Sequence, residues 1–196
     1  MTGKAFNTLP LIAKHAKKQH ALVAFNPSSY LAKQGLTKIK PLLRNTDILI
    51  LNDEEASMLT GNQEHLKEQA QQLAQQGPET VVITQGSKGA LVLHKKRYYE
   101  AAPKKNLRIL ETTGAGDAFG STFLAARIQG YNISDSLRLA LINAESVITN
   151  YGAKNILLDK QTIEQRLRKD TRAVITSTIT NSTRSKRTRK TKTKNR

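Results

Sequence analysis

The chain has 196 residues, a length that suits one ordinary domain with a sizeable hydrophobic core. Hydrophobic residues make up 38% of it and charged residues 24%, with a formal net charge of +17, and no apolar run approaches membrane-spanning length. The absence of cysteine excludes disulfides, thiolate zinc sites and cysteine nucleophiles. Because residues 1–11 lack the apolar core of a signal peptide, we expect a cytoplasmic protein without membrane contact.

Helical and strand patterns alternate along the chain. The expected elements are a helix at 9–16, a strand at 21–25, a helix at 39–43, a strand at 47–51, helices at 54–59 and 63–76, a strand at 80–83, a hairpin of 90–94 with 97–101, an apolar lead-in at 107–110, and helices from 119, at 133–151 and at 163–167. Continuous apolar strands between helices predict a mostly parallel sheet covered by helices on both faces.

Four of the predicted strands end in polar or glycine-bearing turns. These turns lie at Asn26, at Asn52, at 84–86 and at 113–116. Parallel strands place their carboxyl ends along one edge of a sheet, where open α/β sheets bind their ligands. The sequence therefore predicts a pocket along this edge.

The last of these turns opens the helix that begins near Phe119. Gly114 and Gly116 permit unusual turn angles and leave no side chain over the backbone amides. Such amides, together with the positive end of a helix dipole, suit a phosphate or a developing oxyanion. Asp117 beside them is placed to accept a proton from a hydroxyl. A plain loop with Asp117 as a helix cap fits the spacing equally well.

Residues 111–119 resemble the C-terminal signature of the PfkB/ribokinase family of carbohydrate and nucleoside kinases, Asp-Thr-x-Gly-Ala-Gly-Asp-x-Phe. Every fixed position matches except the first, where Glu111 replaces Asp. The resemblance implies that Asp117 is the catalytic base. It also implies that the amides of Gly114, Ala115 and Gly116 form the anion hole.

Two earlier turns also resemble motifs of this family. Asn52 and Glu55 match its Asn-x-x-Glu, which implies that they organise the Mg²⁺-bound phosphates, mostly through water. From the residues alone, Asn52 fits a helix cap and Glu55 a surface residue equally well. Residues 84–89 resemble the Thr-x-Gly-x-x-Gly nucleotide loop. The ATP contacts implied there are Thr84, Gln85, Gly86, Ser87, Lys88 and Gly89.

The resemblance extends to the C-terminal helices. Asn143 lies in a stretch that resembles the lining of the family's adenine pocket, although an ordinary polar residue on a helix fits it equally well. The resemblance also implies a monovalent cation such as K⁺ beside Glu111 and Thr113. The backbone near Thr149 and Gly152 is expected to face that cation.

The resemblance covers residues 8–168 and begins late in the family domain. Family members carry their first strands, a β lid and a sugar-contacting motif ahead of this point. We therefore expect a domain truncated at its N-terminus, which is either a fragment or a kinase part that needs an N-terminal half or a homodimer partner.

The C-terminal end differs in composition from the rest. We divide the chain into a nucleotide-binding part at 1–171 and a tail at 172–196, which holds nine basic residues and no acidic one. No apolar residue follows Ile179, so the tail is expected to be disordered. It is suited to nonspecific nucleic-acid binding through counterion release, and a solvated tail without a partner is the equal alternative.

Taken together, the sequence predicts an α/β, ribokinase-like (Rossmann-like) fold that uses ATP and Mg²⁺ to phosphorylate a hydroxyl of a sugar or nucleoside. The competing hypothesis is a non-catalytic nucleotide- or nucleic-acid-binding remnant of the kinase fold. The presence of Asp117 favours the enzyme. The absent acceptor-binding part and the basic tail favour the binding protein.

Overall fold

A computed structural model of the chain describes residues 3–61, 65–152 and 156–179. The predicted tail beyond Ile179 lies outside these ranges. The helices are α1 Gly3–Lys18, α2 Ser29–Ala32, α3 Leu36–Leu43, α4 Asp53–Thr60, α5 Leu66–Ala74, α6 Ala115–Ile128, α7 Ile133–Ile148 and α8 Lys160–Lys169. The strands are β1 Ala24–Phe25, β2 Ile48–Asn52, β3 Thr80–Thr84, β4 Ala90–His94, β5 Arg97–Ala101 and β6 Ile175–Thr178.

One sheet holds the six strands in the order in which they follow along the chain. The pairings of β1 with β2 and of β2 with β3 are parallel, whereas β3–β4, β4–β5 and β5–β6 are antiparallel. The expectation of a mostly parallel sheet is therefore wrong, because the β4–β5 hairpin and the returning β6 make the sheet mixed. The α/β class itself is confirmed.

Helices cover both faces of the sheet, as the alternation of side chains along β2 and β3 requires. On one face Leu49, Leu51 and Val81 pack in a core with residues of α2 to α5. On the other face Ile50 and Val82 pack in a second core with residues of α6 and α7. None of the helices within the described ranges combines the length and apolar character needed to cross a membrane.

Two of the predicted strands differ from the structure. The strand expected at 21–25 is reduced to Ala24–Phe25. The apolar lead-in at 107–110 is not a strand, because the backbone N–H groups of Leu110 and Glu111 donate to the carbonyl of Ile148, at 2.9 and 3.4 Å. The turn into α6 is thus tied to the end of α7, and it does not follow a strand of the sheet.

The first eight residues of the expected tail, 172–179, lie within the described ranges. Residues 175–178 form β6, which pairs with β5 in antiparallel register, with Thr176 opposite Tyr99. The Arg172 side chain is only 7% exposed, with its guanidinium between the carboxylates of Glu145 and Asp170. These two features make the segment up to Ile179 part of the folded unit, although its polar composition is unlike that of the inner strands.

Candidate active site

A cavity of about 600 Å³ lies between the loop that follows β3, the start of α6 and one side of α7. This volume is within the range typical of small-molecule sites. The polar and glycine-bearing turns supply Thr84, Gly86, Ser87, Gly89, Thr112, Ala115 and Gly116 to its lining. Two turns that the sequence placed at one edge of the sheet therefore meet at one cavity.

The start of α6 lines this cavity with Ala115 and Gly116, and the Ala115 N–H, which was expected in the anion hole, donates to the Thr112 carbonyl at 3.2 Å. Gly114 caps the helix in the left-handed conformation, with φ 83°, and Ala118 N–H donates to its carbonyl at 2.9 Å. Gly116 and Asp117 belong to the first turn, whose N–H groups have no partner inside the helix. A Cβ atom added at Gly116 would meet no atom within 4 Å, so the space over these amides is open.

Asp117 lies at the same helix start, and its side chain is exposed. It is the third residue of α6 and directly follows Ala115 and Gly116, which line the cavity, but it is not itself among the lining residues. The structure therefore places this carboxylate at the glycine-bearing turn that opens α6.

The loop at 84–89 forms a tight turn in which Gln85 N–H donates to the Gly89 carbonyl at 2.7 Å. Gly89 has φ 99°, and a Cβ atom there would lie 2.0 Å from the carbonyl oxygen of Ala101. A glycine is therefore required at position 89, because the backbone of β5 approaches it closely. Gly86 has φ 52° and open space above it, which leaves its backbone accessible from the cavity.

Two residues of this loop do not line the large cavity. Gln85 and Lys88 both line two neighbouring surface pockets. One of these pockets also includes Asp53, and the other also includes Arg172. Of the six predicted ATP contacts in the loop, the structure brings together the other four.

Asn52 and Glu55 form a reciprocal capping box at the start of α4. The Asn52 side chain accepts from Glu55 N–H at 2.7 Å, and the Glu55 carboxylate accepts from Asn52 N–H at 3.2 Å. Ser29 donates a further bond to Glu55 at 3.3 Å. Glu55 is only 7% exposed, so the surface interpretation is wrong and the cap interpretation of Asn52 is confirmed. Burial raises the pKa of Glu55 more than its hydrogen bonds to Asn52 and Ser29 lower it.

The capping box lies beside the nucleotide-type loop. Asn52 is the parallel-strand partner of Thr84, so both residues end their strands at the same level of the sheet. Neither Asn52 nor Glu55 lines the large cavity itself. Together they form a polar site next to it.

Glu111 lies where a monovalent cation was expected. Its carboxylate accepts from Gly152 N–H at 2.8 Å. This bond, and after it a bond from the Thr113 side chain, lowers the pKa of Glu111 below its ordinary range. The structure therefore brings Glu111, Thr113 and Gly152 together, with the carboxylate ionised at neutral pH.

Asn143 does not reach the large cavity. Its amide nitrogen donates to the Thr122 hydroxyl at 2.7 Å, and its amide oxygen accepts from Leu158 N–H at 3.0 Å. It lines a separate pocket between α6, α7 and α8. Both ends of this buried amide are occupied within the protein, which favours a structural role over the predicted adenine contact.

Glu145 lines the cavity, although Asn143 was the residue of this stretch that we predicted as a ligand contact. Its carboxylate accepts the backbone N–H of Lys104 at 2.8 Å and a bidentate pair from Arg172 at 2.8 and 2.9 Å. Both side chains of this ion pair are less than 10% exposed. No motif marks the pair, because its two residues lie 27 positions apart.

The residues present fit ATP and Mg²⁺. The cavity combines open glycine turns, a helix N-terminus and an apolar wall that includes Leu107, Phe119 and Leu141. Within the described ranges, no group of three or more His, Cys, Asp or Glu side chains is arranged to hold a metal ion. Mg²⁺ typically keeps several waters and binds through one or two carboxylates plus phosphates, so a single nearby carboxylate such as Glu55 suffices.

Comparison with known proteins identifies the relatives of this chain. The model of the pfkB family carbohydrate kinases matches residues 3–160. Cytidine kinase from Thermococcus kodakarensis is 32% identical over 163 residues, which cover 78% of this chain and 58% of that protein. An uncharacterized sugar kinase from Archaeoglobus fulgidus is 33% identical over 67% of this chain and 52% of its own length.

Solved structures show the same relationship. Ribokinase from Arabidopsis thaliana, complexed with ribose and ATP, has a TM-score of 0.73 at 25% identity, covering 83% of this chain and 52% of its own. Carbohydrate kinase from Agrobacterium tumefaciens has a TM-score of 0.71 at 25% identity, covering 88% of this chain and 53% of its own. The chain spans about half the length of the curated relatives it matches. By its matched sequence and its fold, it belongs to the pfkB family of carbohydrate kinases.

Proposed function

We propose that this chain supplies the ATP-binding and phosphoryl-transfer part of a kinase that acts on a hydroxyl of a sugar or nucleoside. One observation carries the proposal. The amide-presenting start of α6, with Asp117 beside it, shares a single cavity with the glycine-bearing loop after β3. A helix N-terminus with open amides attracts phosphate, and a neighbouring carboxylate accepts protons.

Each part of the site has a role in this proposal. When bound, ATP would supply the transferable phosphoryl group, and Mg²⁺ would offset the negative charge of the phosphates. The amides of Gly116 and Asp117 stabilise the negative charge of the transferred group, and the Asp117 carboxylate accepts the proton of the attacking hydroxyl. The apolar wall around Leu107 and Phe119 receives the nucleotide base.

Two acidic residues hold cations in the proposal. Glu55 would orient waters of the Mg²⁺ shell, since the capping box fixes its carboxylate beside the nucleotide loop. Glu111, ionised and placed next to Thr113 and Gly152, would attract a monovalent cation such as K⁺. That cation would support the turn that carries the amides of the anion hole.

The acceptor is the part of the proposal that depends on other residues. The chain covers 58% of the cytidine kinase that it resembles. We propose that acceptor binding, and with it full turnover, needs a complementary part of a kinase domain or a homodimer partner. A cytoplasmic site of action suits a kinase that depends on ATP.

The proposal is tested by two measurements on the full chain. Calorimetry with Mg²⁺-ATP should show binding. ADP release should then be followed with a panel of pentoses, hexoses and nucleosides, with and without a separately expressed N-terminal part of the Thermococcus cytidine kinase. Acceptor-dependent turnover in either arm supports the kinase, and ATP binding without turnover in both supports a non-catalytic nucleotide-binding protein. A chain that binds no ATP contradicts both.

A further inference from the structure

A buried ion pair lies behind the wall of the large cavity. Glu145 lines the cavity from α7, and both terminal nitrogens of Arg172 donate to the Glu145 carboxylate. The side chains of Glu145 and Arg172 are 9% and 7% exposed. Arg172 lies beyond residue 160, where the match to the family model ends. The pair therefore joins the family core to a segment that the match does not include.

The same carboxylate also holds the rim of the cavity. Glu145 accepts the backbone N–H of Lys104 at 2.8 Å, and Lys104 belongs to the segment 102–114 between β5 and α6. Lys104 lines the large cavity together with Pro103 and Leu107. No helix or strand fixes this segment, so its position depends on contacts such as this one.

Arg172 is itself fixed from the other side. Its Nε donates to Asp170 at 2.6 Å, and Asp170 also lies 3.5 Å from Arg138 of α7. The guanidinium thus has two carboxylate partners and one fixed orientation. Bidentate pairing of this kind adds geometric specificity that a single contact lacks.

Charge gives Arg172 a second effect on the cavity. An unpaired carboxylate in the wall of a cavity that takes a polyphosphate would repel the ligand, and burial strengthens such repulsion. Arg172 neutralises Glu145 where it lines the cavity. Loss of the pair would therefore release the rim and add a negative charge to the wall.

We propose that Arg172 is a positioning residue of the nucleotide site, which acts through Glu145 on the rim segment at Lys104. This inference rests on the proposed function, because the ligand concerned is ATP. It extends the site to the C-terminal segment 170–179, which carries Arg172 and then enters the sheet as β6.

The test uses the full chain with Arg172→Lys, which keeps the positive charge and loses the bidentate contact with Glu145. The matched control is Arg166→Lys at an exposed position of α8. We expect faster hydrogen exchange of the Lys104 amide, measured by NMR without nucleotide, and a roughly 3- to 30-fold weaker affinity for Mg²⁺-ATP. The control should match the wild type in both measurements. Unchanged Lys104 exchange, or unchanged ATP affinity, in Arg172→Lys would overturn the inference.

A second pair of variants decides the matter if Arg172→Lys does not fold. Lys104→Pro removes the N–H that Glu145 accepts, while Lys104→Ala removes the same side chain and keeps the N–H. Weaker ATP binding by the proline variant than by the alanine variant supports the inference, and equal binding contradicts it. A wild-type chain without ATP affinity would instead overturn the proposed function, and Lys104 exchange would still decide whether Arg172 holds the rim.

Discussion

Asn52 and Glu55 bond to each other in both directions across the first turn of α4, side chain to backbone in each case. These are the two residues that match the Asn-x-x-Glu motif of the family. The helix cap therefore uses the same atoms that the proposed magnesium site requires. Because Glu55 is also buried, its ionisation affects the free energy of unfolding as well as ligand binding.

We predict that Glu55→Gln changes the pH dependence of stability. Burial raises the pKa of Glu55 above its ordinary value of 4.5, so the folded state binds the proton more tightly than the unfolded chain. The stabilisation from this group is complete below pH 4.5 and is lost as pH rises through the higher folded pKa. Glutamine stays neutral and can bond to both Asn52 N–H and Ser29.

The measurement is urea denaturation of both proteins across the acidic to neutral range. The free energy of unfolding of Glu55→Gln, relative to the wild type, should increase as pH rises above 4.5 and then become constant. A relative stability that is independent of pH would show that Glu55 does not titrate with a raised pKa.

Two glycines of the site should respond in opposite ways to alanine. Gly116 is helical and has open space above it, so Gly116→Ala should keep or slightly raise the melting temperature. The added methyl would stand over the amides of the anion hole and weaken Mg²⁺-ATP binding. Gly89→Ala should instead unfold more easily, because its Cβ would lie 2.0 Å from the Ala101 carbonyl oxygen.

Thermal melts and ATP titrations of the same two variants separate these effects. A Gly116→Ala protein that binds ATP as well as the wild type would remove the α6 amides from the proposed site. A Gly89→Ala protein with wild-type stability would contradict the close approach of β5.

Features that neighbouring residues encode were predictable from the sequence, whereas features that depend on distant residues were not. Strands β2 and β3, and the turns after them, were predictable because continuous apolar runs and local turn residues encode them. Strand β6 was not, since its Ile-Thr-Ser-Thr sequence pairs at a sheet edge and buries little.

Long-range pairs explain the remaining differences. The segment at 107–110 has a strand-like composition, yet Leu110 bonds to the end of α7. Asn143 fitted both a ligand contact and a structural role, and only its contacts with Thr122 and Leu158 distinguish them. The pairing of Glu145 with Arg172 has no local signal at all.

Asp117→Asn should separate catalysis from nucleotide binding. The substitution keeps the size of the side chain and removes the base, so phosphoryl transfer in the active assembly should fall by about 10²- to 10⁴-fold. Affinity for Mg²⁺-ATP should change little, since the amides of the turn remain. Asp159→Asn is the matched control, because Asp159 caps α8 at its N-terminus and asparagine caps equally well. Wild-type turnover by Asp117→Asn would exclude Asp117 as the base.

The last prediction compares two truncations, one ending at Ile179 and one ending at Thr171. Residues 180–196 contain no apolar residue and eight basic ones, so their removal should leave the free energy of unfolding unchanged. It should also abolish salt-sensitive retention on immobilised DNA, if the chain shows any.

The protein that ends at Thr171 should behave differently, because it lacks Arg172 and β6. Glu145 would remain as a buried carboxylate without its cation, and β5 would become an open sheet edge. Breaking a buried ion pair by removing one partner costs about 3–5 kcal/mol, so urea denaturation should separate the two truncations clearly. Equal stability of both would place the segment 172–179 outside the folded unit. A large loss of unfolding free energy in the protein that ends at Ile179 would mean that residues 180–196 pack against the core.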